Sequence, residues 1–188
     1  MQLPEYNHLD IAKLSSVFRD TTNSYKFYWF LSILDSLRDN GENIISQKDI
    51  ALRMLANVWY PLDYFKLSFG KQDSFKKVAQ FISSKIAVDN RPNSQNLFEQ
   101  INCRFSEKEL KTLSNQIKEI YKYVPYRFVR PFFEEETHAN SDHLVKNQMI
   151  VLCNQYFESQ PHRVMYRFVG DSIELNSIWI DYLQRHQG

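Results

Sequence analysis

Apolar residues recur at helical spacing through most of the chain. Tyr25 to Leu37 is apolar or aromatic on nearly every face, which predicts a buried central helix ending at Asn40-Gly41. The other main helices are predicted from Ser46 to Pro61, from Asp73 through Ile86, and from Ser106 to near Pro125. The last of these begins with a capping box, Ser106-Glu107-Lys108-Glu109, so its start is well defined.

The C-terminal third has a different pattern of apolar and polar residues. Tyr126-Arg127-Phe128-Val129 is repeated letter for letter at 166–169, and its alternation predicts two short half-buried strands. Gly170-Asp171 and the residues 172–175 then predict a hairpin, and Asn176 is suited to cap a final helix. The order helix, strand, helix, hairpin is that of a winged-helix domain with one helix missing, although other α+β domains share it.

These patterns predict a mainly α (α+β) fold. The expected division is a helical bundle-like body at 1–124 with a small α+β subdomain at 125–188 packed on it, and one continuous domain is the alternative. The chain has 188 residues, 43% of them hydrophobic, which is ample for a sizeable core.

Composition indicates a cytoplasmic protein. Cys103 and Cys153 are far apart within predicted helices, so both are expected to be buried free thiols in a reducing compartment. No run of about 18 apolar residues and no signal-peptide pattern occurs, so we expect neither membrane insertion nor secretion.

The net charge of +1 is unevenly distributed. Residues 61–130 carry thirteen Lys/Arg against seven Asp/Glu, whereas residues 1–60 carry six against seven and residues 131–188 carry four against eight. A basic middle can lie along nucleic-acid phosphates, but such an excess is also common on a solvated face. The candidate phosphate-contacting residues are Lys66, Lys71, Lys76, Lys77, Arg127, Arg130, Arg163 and Arg167.

Two hypotheses apply to the arginines of the repeat. In one, Arg127 and Arg167 project from the same face of the small sheet and clamp phosphates. In the other, they pair with carboxylates such as Glu134 or Glu174, which is the commoner fate of an arginine on a half-exposed strand. The sequence leaves both open.

Catalytic motifs are absent from the sequence. It has no Gly-rich phosphate loop, HExxH or CxxC, which disfavours nucleotide hydrolysis and zinc ribbons. Weak metal-ligand candidates are Glu134, His138, Asp142 and His143. Because three consecutive carboxylates at 134–136 cannot face one point, and acids ahead of a helix are explained by its positive end, no metal site is predicted.

Tyr64, Phe65 and Phe69 are candidates for an aromatic anchor patch that binds another protein.

A family resemblance adds to this picture. It rests on TTNSYKFYWFL at 21–31, MLANVWYP at 54–61, FKLSFGKQD at 65–73, PYRFVRPF at 125–132, YRFVGD at 166–171 and the helix of Trp179. On these stretches the chain resembles the N-terminal region of bacterial HNH-endonuclease-domain proteins of the Bacteroides type. In that family the nuclease motif follows this region, and the histidines of this chain are not spaced as a ββα-metal unit requires.

The resemblance implies a non-catalytic accessory domain. Its partners would be DNA, together with a nuclease domain in cis or another protein chain. No cofactor is expected unless an HNH domain with its divalent metal follows in the parent protein. The expected function is sequence-independent phosphate binding that weakens as salt rises. A protein-interaction module and a metal-dependent hydrolase using residues 134–143 are the alternatives.

Overall fold

The structure is a computed structural model that describes Pro4, Tyr6 and residues 9–19, 24–63, 74–89, 92–137 and 141–186. The fold is mainly helical with a small three-stranded antiparallel sheet, as predicted. Its helices are α1 (Ile11–Ser16), α2 (Tyr25–Asn40), α3 (Gln47–Asp63), α4 (Ser74–Ser83), α5 (Ser94–Arg104), α6 (Glu107–Tyr121), α7 (Val124–Val129), α8 (Asp142–Ser159) and α9 (Ser177–Arg185). A 3-10 helix covers Arg130–Phe133, and the strands are β1 (Ile44–Ser46), β2 (Tyr166–Val169) and β3 (Ser172–Leu175).

The chain folds as two compact units. The sheet unit consists of the described residues up to Gln47 and from Tyr123 onward, and the helical unit consists of those within 48–122. The described residues up to Gln47 thus group with those from Tyr123 onward, whereas the sequence predicted a body at 1–124 and a subdomain at 125–188. The physical reason is long-range packing: β1 pairs with β3, α1 packs on the 3-10 helix, and α2 packs on α7 and α9.

The sheet has one buried face and one outer face. Its strand order is β1-β3-β2, and Ile45, Ile173 and Phe168 lie in register across the three strands with their side chains buried. Gly170 makes the hairpin turn with a φ of 57°, which a residue with a Cβ rarely adopts. Phe168 on the outer strand β2 exchanges two hydrogen bonds with the Asn154 side chain, at 3.0 and 3.1 Å. An edge that would otherwise accept another strand is thereby partly covered.

The prediction for the first copy of the repeat was wrong. Residues 126–129 form most of α7, whereas the second copy at 166–169 is the predicted strand. Pro125 favours the helix, because its fixed φ suits a first turn and its missing N–H is not needed there. The two copies also stack on each other: Tyr126 lies 4.7 Å from Phe168 and Phe128 lies 6.1 Å from Tyr166, ring centre to ring centre.

The order helix, strand, helix, helix, hairpin that a winged-helix domain needs occurs within the sheet unit, as α2, β1, α7, α8, β2 and β3. The same unit also contains α1, the 3-10 helix and α9, so the winged-helix hypothesis stays a prediction. In this order α7 is the helix that the sequence did not predict, and β1 takes the place of the strand expected at 126–129. In the sequence, residues 48–122 are inserted between β1 and α7.

Several helix boundaries differ from expectation. Ser46 belongs to β1, and α3 continues through Pro61 to Asp63, although Pro61 has no backbone N–H to donate within the helix. The capping box at Ser106 is confirmed. The end of α2 at Asn40 is also confirmed, with Gly41 left-handed at a φ of 67°.

The cysteine prediction was half right. Cys153 is buried, but Cys103 is exposed on α5, and both are free thiols. Burial raises the pKa of the Cys153 thiol. Of the helices that the structure describes, none has the length and apolar character needed to cross a bilayer.

Candidate nucleic-acid interface

Arg167 is neutralised by carboxylates. Its Nε lies 2.7 Å from Glu174, one terminal nitrogen lies 3.2 Å from Glu158, and the guanidinium sits 4.3 Å from the ring centre of Phe157. The hydrogen bond to Glu174 raises the pKa of Arg167. The pairing hypothesis is therefore confirmed for this residue, whose guanidinium is shared between two carboxylates.

Arg163 is held in the same way. Its guanidinium lies 2.6 Å from Glu136 and within 5.0 and 5.5 Å of the ring centres of Tyr156 and Phe133. Although burial raises the pKa of Glu136, the hydrogen bond and charge of Arg163 bring it below the usual value. A cation placed between two rings and a carboxylate serves the internal packing of the sheet unit.

Arg127 and Arg167 do not share a sheet face. Arg127 lies on α7 with its guanidinium 5.4 Å from the ring centre of Tyr123, so the hypothesis of a two-arginine clamp on the sheet is wrong. Arg130 lies in the 3-10 helix, and both side chains are exposed but have contacts within the protein.

The remaining predicted lysines belong to residues 48–122. Lys76 and Lys77 are exposed on α4, opposite its buried residues Phe75, Val78 and Ile82. Lys66 and Lys71 lie outside the described residues, as do Tyr64, Phe65 and Phe69 of the proposed anchor patch. For these five positions the assignment stays a prediction.

The acidic stretch does not converge on one point. The Glu134 carboxylate lies 3.3 Å from Lys13, whereas Glu136 turns to Arg163. His143 is exposed, and His138 and the side chain of Asp142 lie outside the described part of the chain. Within that part, no group of three or more His, Cys, Asp or Glu side chains is placed to hold a metal ion.

A row of lysines on α6 was missed in the sequence. We define the lysine stripe as Lys108, Lys111, Lys118 and Lys122, all of which are exposed. Their spacing of three, seven and four residues places them along one side of the helix. Leu113, Ile117 and Ile120 are buried on the opposite side. The signal was present, because the capping box fixes where the helix begins and hence which residues face outward.

Most of the charge on this stripe is uncompensated. Lys108, Lys111 and Lys118 form no ion pair with any residue that the structure describes, and Lys122 lies 3.6 Å from Glu119 in an exposed pair. Exposed pairs of this kind contribute little to stability.

Glu109 is occupied on another side of α6. Its carboxylate lies 2.8 Å from Lys85 and accepts hydrogen bonds from the Ser106 N–H at 2.9 Å and hydroxyl at 2.7 Å. The hydrogen bonds from Lys85 and Ser106 lower the pKa of Glu109 to about 2. The carboxylate therefore stays ionised and committed to the helix cap.

Helix α4 supports α6. The two helices pack together, and the C-terminal end of α4 meets the N-terminal end of α6 through the Lys85–Glu109 pair and the Phe81–Phe105 ring contact at 5.9 Å. Buried apolar residues on both helices hold the stripe on a packed scaffold.

The two units differ in charge. Residues 48–122 carry thirteen Lys/Arg against eight Asp/Glu, a net charge of +5, while the rest of the chain carries ten against fourteen, a net charge of −4. The positive charge of the protein thus belongs to the segment that contains the stripe.

Comparisons with protein-family models, with curated proteins and with solved structures find no match to this chain. The resemblance to HNH-endonuclease-domain proteins therefore stays an expectation. The class of protein that the fold defines is a mainly helical α+β protein with a basic helical unit.

Proposed function

We propose that this chain is a non-catalytic module that binds the phosphate backbone of DNA through its helical unit. The observation that carries the proposal is the exposed lysine stripe, three of whose four members form no ion pair with a described residue, on a segment with a net charge of +5. In the context that the sequence resemblance suggests, the module would hold DNA for a nuclease domain in cis or for a partner nuclease chain.

The chemistry of the stripe fits sequence-independent binding to the phosphates of DNA. Lysine ammonium groups act as flexible point charges that attract phosphate without reading base edges, whereas planar guanidinium groups are the usual bidentate readers. In the sheet unit, Arg163 and Arg167 form ion pairs with carboxylates. Binding therefore depends mainly on counterion release and weakens with salt.

The winged-helix order of elements in the sheet unit does not make that unit the DNA-binding surface. In that order α8 takes the place of the recognition helix, the element that enters the major groove. Its outward side chains include Leu144 and Val151, exposed by 57% and 61%, and Lys146 lies over the ring of Tyr126 at 5.1 Å. A neutral, partly apolar surface is poorly suited to phosphate, so the contact is assigned to the helical unit.

A direct test is titration of the full chain into a fluorescent DNA duplex at about 50 mM and about 200 mM salt. With about four phosphate contacts, the affinity is expected to fall roughly 100-fold between these concentrations. Absence of binding at both concentrations would remove the proposal. Plasmid DNA incubated with the chain and Mg²⁺ is expected to stay intact, and cleavage would contradict the non-catalytic role.

A further inference from the structure

We infer that α6 is the DNA-contacting element, and that its lysine stripe bridges the two phosphate backbones of a B-form duplex across the major groove. This inference rests on the proposed function and names its contact surface and the form of its ligand. The evidence for it is the spacing of the four lysines, the uncharged or paired side chains around them, and the packing of α6 on α4.

The stripe divides into two pairs. Lys108 and Lys111 lie near the N-terminal end of α6, and Lys118 and Lys122 lie at its C-terminal end. At 1.5 Å per residue the facing members, Lys111 and Lys118, are about 10 Å apart along the axis, and the outer members are about 21 Å apart. These distances bracket the major-groove width of about 12 Å and exceed the minor-groove width of about 6 Å. One pair can therefore meet each backbone.

Between the two pairs, the exposed position in line with the lysines is uncharged. Asn115 is exposed on the same side of α6, so in this arrangement it faces the open groove. Of the acidic residues, Glu107 lies in the first turn of α6, before the stripe, and Glu119 lies within its C-terminal pair, 3.6 Å from Lys122. No carboxylate interrupts the row between Lys108 and Lys118, and Glu109, which lies in that interval, faces Lys85.

A single strand is a poorer fit. Proteins that grip single strands combine positive charge with exposed aromatic rings on which bases stack. The exposed residues of α6 are Glu107, Lys108, Lys111, Thr112, Asn115, Lys118 and Glu119, and none is aromatic. A single strand also presents one backbone, which leaves one lysine pair without a partner.

A lipid surface is also a poorer fit. Interfacial helices insert an apolar face into the bilayer, but the apolar face of α6 is buried in the protein. Large exposed hydrophobic side chains among the described residues are Phe27, Ile44, Leu144, Val151 and Val169, and all of them belong to the sheet unit. The lysines of α6 thus have an aqueous polyanion as their natural ligand.

The test compares two charge-matched variants of the full chain. The stripe variant K108Q/K111Q/K118Q removes three cations of α6 that pair with no described residue. The control R19Q/K48Q/R104Q removes three other exposed cations, none of which forms an ion pair with a described residue. Substitutions of exposed side chains away from caps and ion pairs have small effects on stability, so both variants are expected to fold. Circular dichroism checks this.

Both variants are titrated with the same duplex over a range of salt. Each lost phosphate contact lowers the slope of log affinity against log salt by about 0.9, so the stripe variant is expected to lose about 2.7 and to bind about 100-fold more weakly at low salt. The control variant is expected to lose less than about 1 in slope. Equal losses in the two variants, or no loss in either, would overturn the inference while leaving the proposed function standing.

The form of the ligand is tested with a single strand of the same length and with polyglutamate. The wild-type chain is expected to bind the duplex at least tenfold more tightly than the single strand. Equal affinity for the single strand would overturn the bridging geometry. Equal affinity for polyglutamate would indicate that the stripe binds an acidic protein instead of DNA. If the wild-type chain binds no duplex at all, the proposed function fails together with the inference.

Discussion

Tyr166 is the side chain that joins the two copies of the repeated tetrapeptide. It is fully buried, its hydroxyl donates a hydrogen bond of 2.5 Å to the Pro125 carbonyl oxygen, and its ring stacks on Phe128 of the first copy. Burial raises the pKa of Tyr166 well above its usual value, so the phenol stays a donor. The bond links the start of α7 to β2.

Replacing Tyr166 with phenylalanine is therefore expected to destabilise the protein. The ring contacts remain, but the Pro125 carbonyl oxygen loses the hydrogen bond from this hydroxyl, and a buried hydrogen bond of this kind typically contributes about 0.5–1.5 kcal/mol. Urea unfolding of Y166F measures this loss. Tyr156 is a matched control, because its hydroxyl makes no hydrogen bond with the described residues, and Y156F is expected to change stability by less than about 0.5 kcal/mol. Equal effects of the two substitutions would contradict this role of Tyr166.

Arg167 gives a residue-scale prediction about binding. Because Glu174 and Glu158 already neutralise its guanidinium, R167Q is expected to leave the salt dependence of duplex binding unchanged. The measurement is the slope of log affinity against log salt, with K118Q as the comparison that should lower the slope by about 0.9. A similar decrease in R167Q would show that the sheet arginine contacts phosphate after all.

At the scale of elements, local signals were predictable and long-range ones were not. The capping box of α6 involves residues three apart, so the sequence shows it directly. The same four letters form a helix at 126–129 and a strand at 166–169, because Pro125 and the ring stacking favour one and pairing with β3 favours the other. Strand β1 has three residues, too few for a period, and exists through its pairing with β3.

The cap of α6 predicts an acid-sensitive helical unit. The pKa of Glu109 is lowered from 4.5 to about 2 by Lys85 and Ser106, so the unfolded chain takes up a proton at higher pH than the folded one. The stability contributed by Glu109 is therefore complete above the unfolded value and is lost as the pH falls toward 2.

The measurement is the urea midpoint of wild type, E109Q and E107Q at about pH 5 and about pH 3. E109Q is expected to lose less stability on acidification than wild type, because it has already lost this carboxylate. E107Q removes the same charge from the same helix end without a contact to Lys85, and is expected to follow wild type. Parallel behaviour of E109Q and E107Q would contradict the assigned role of the cap.

At the scale of the whole molecule, the charge is partitioned between two units. The sequence showed a basic middle but placed Arg127 and Arg130 within it, whereas both belong to the acidic sheet unit. That boundary depends on β1 pairing with β3 across more than a hundred residues, which no local pattern reveals. The stripe itself was within reach, since it needs only the helix start and the spacing of four lysines.

Lysine acylation of the full chain, read by mass spectrometry with and without duplex DNA, tests the central claim most directly. We predict that DNA protects Lys108, Lys111 and Lys118, while Lys13 and Lys146 of the sheet unit react as before. Protection spread evenly over all lysines, or confined to the sheet unit, would contradict the assignment of the DNA grip to α6.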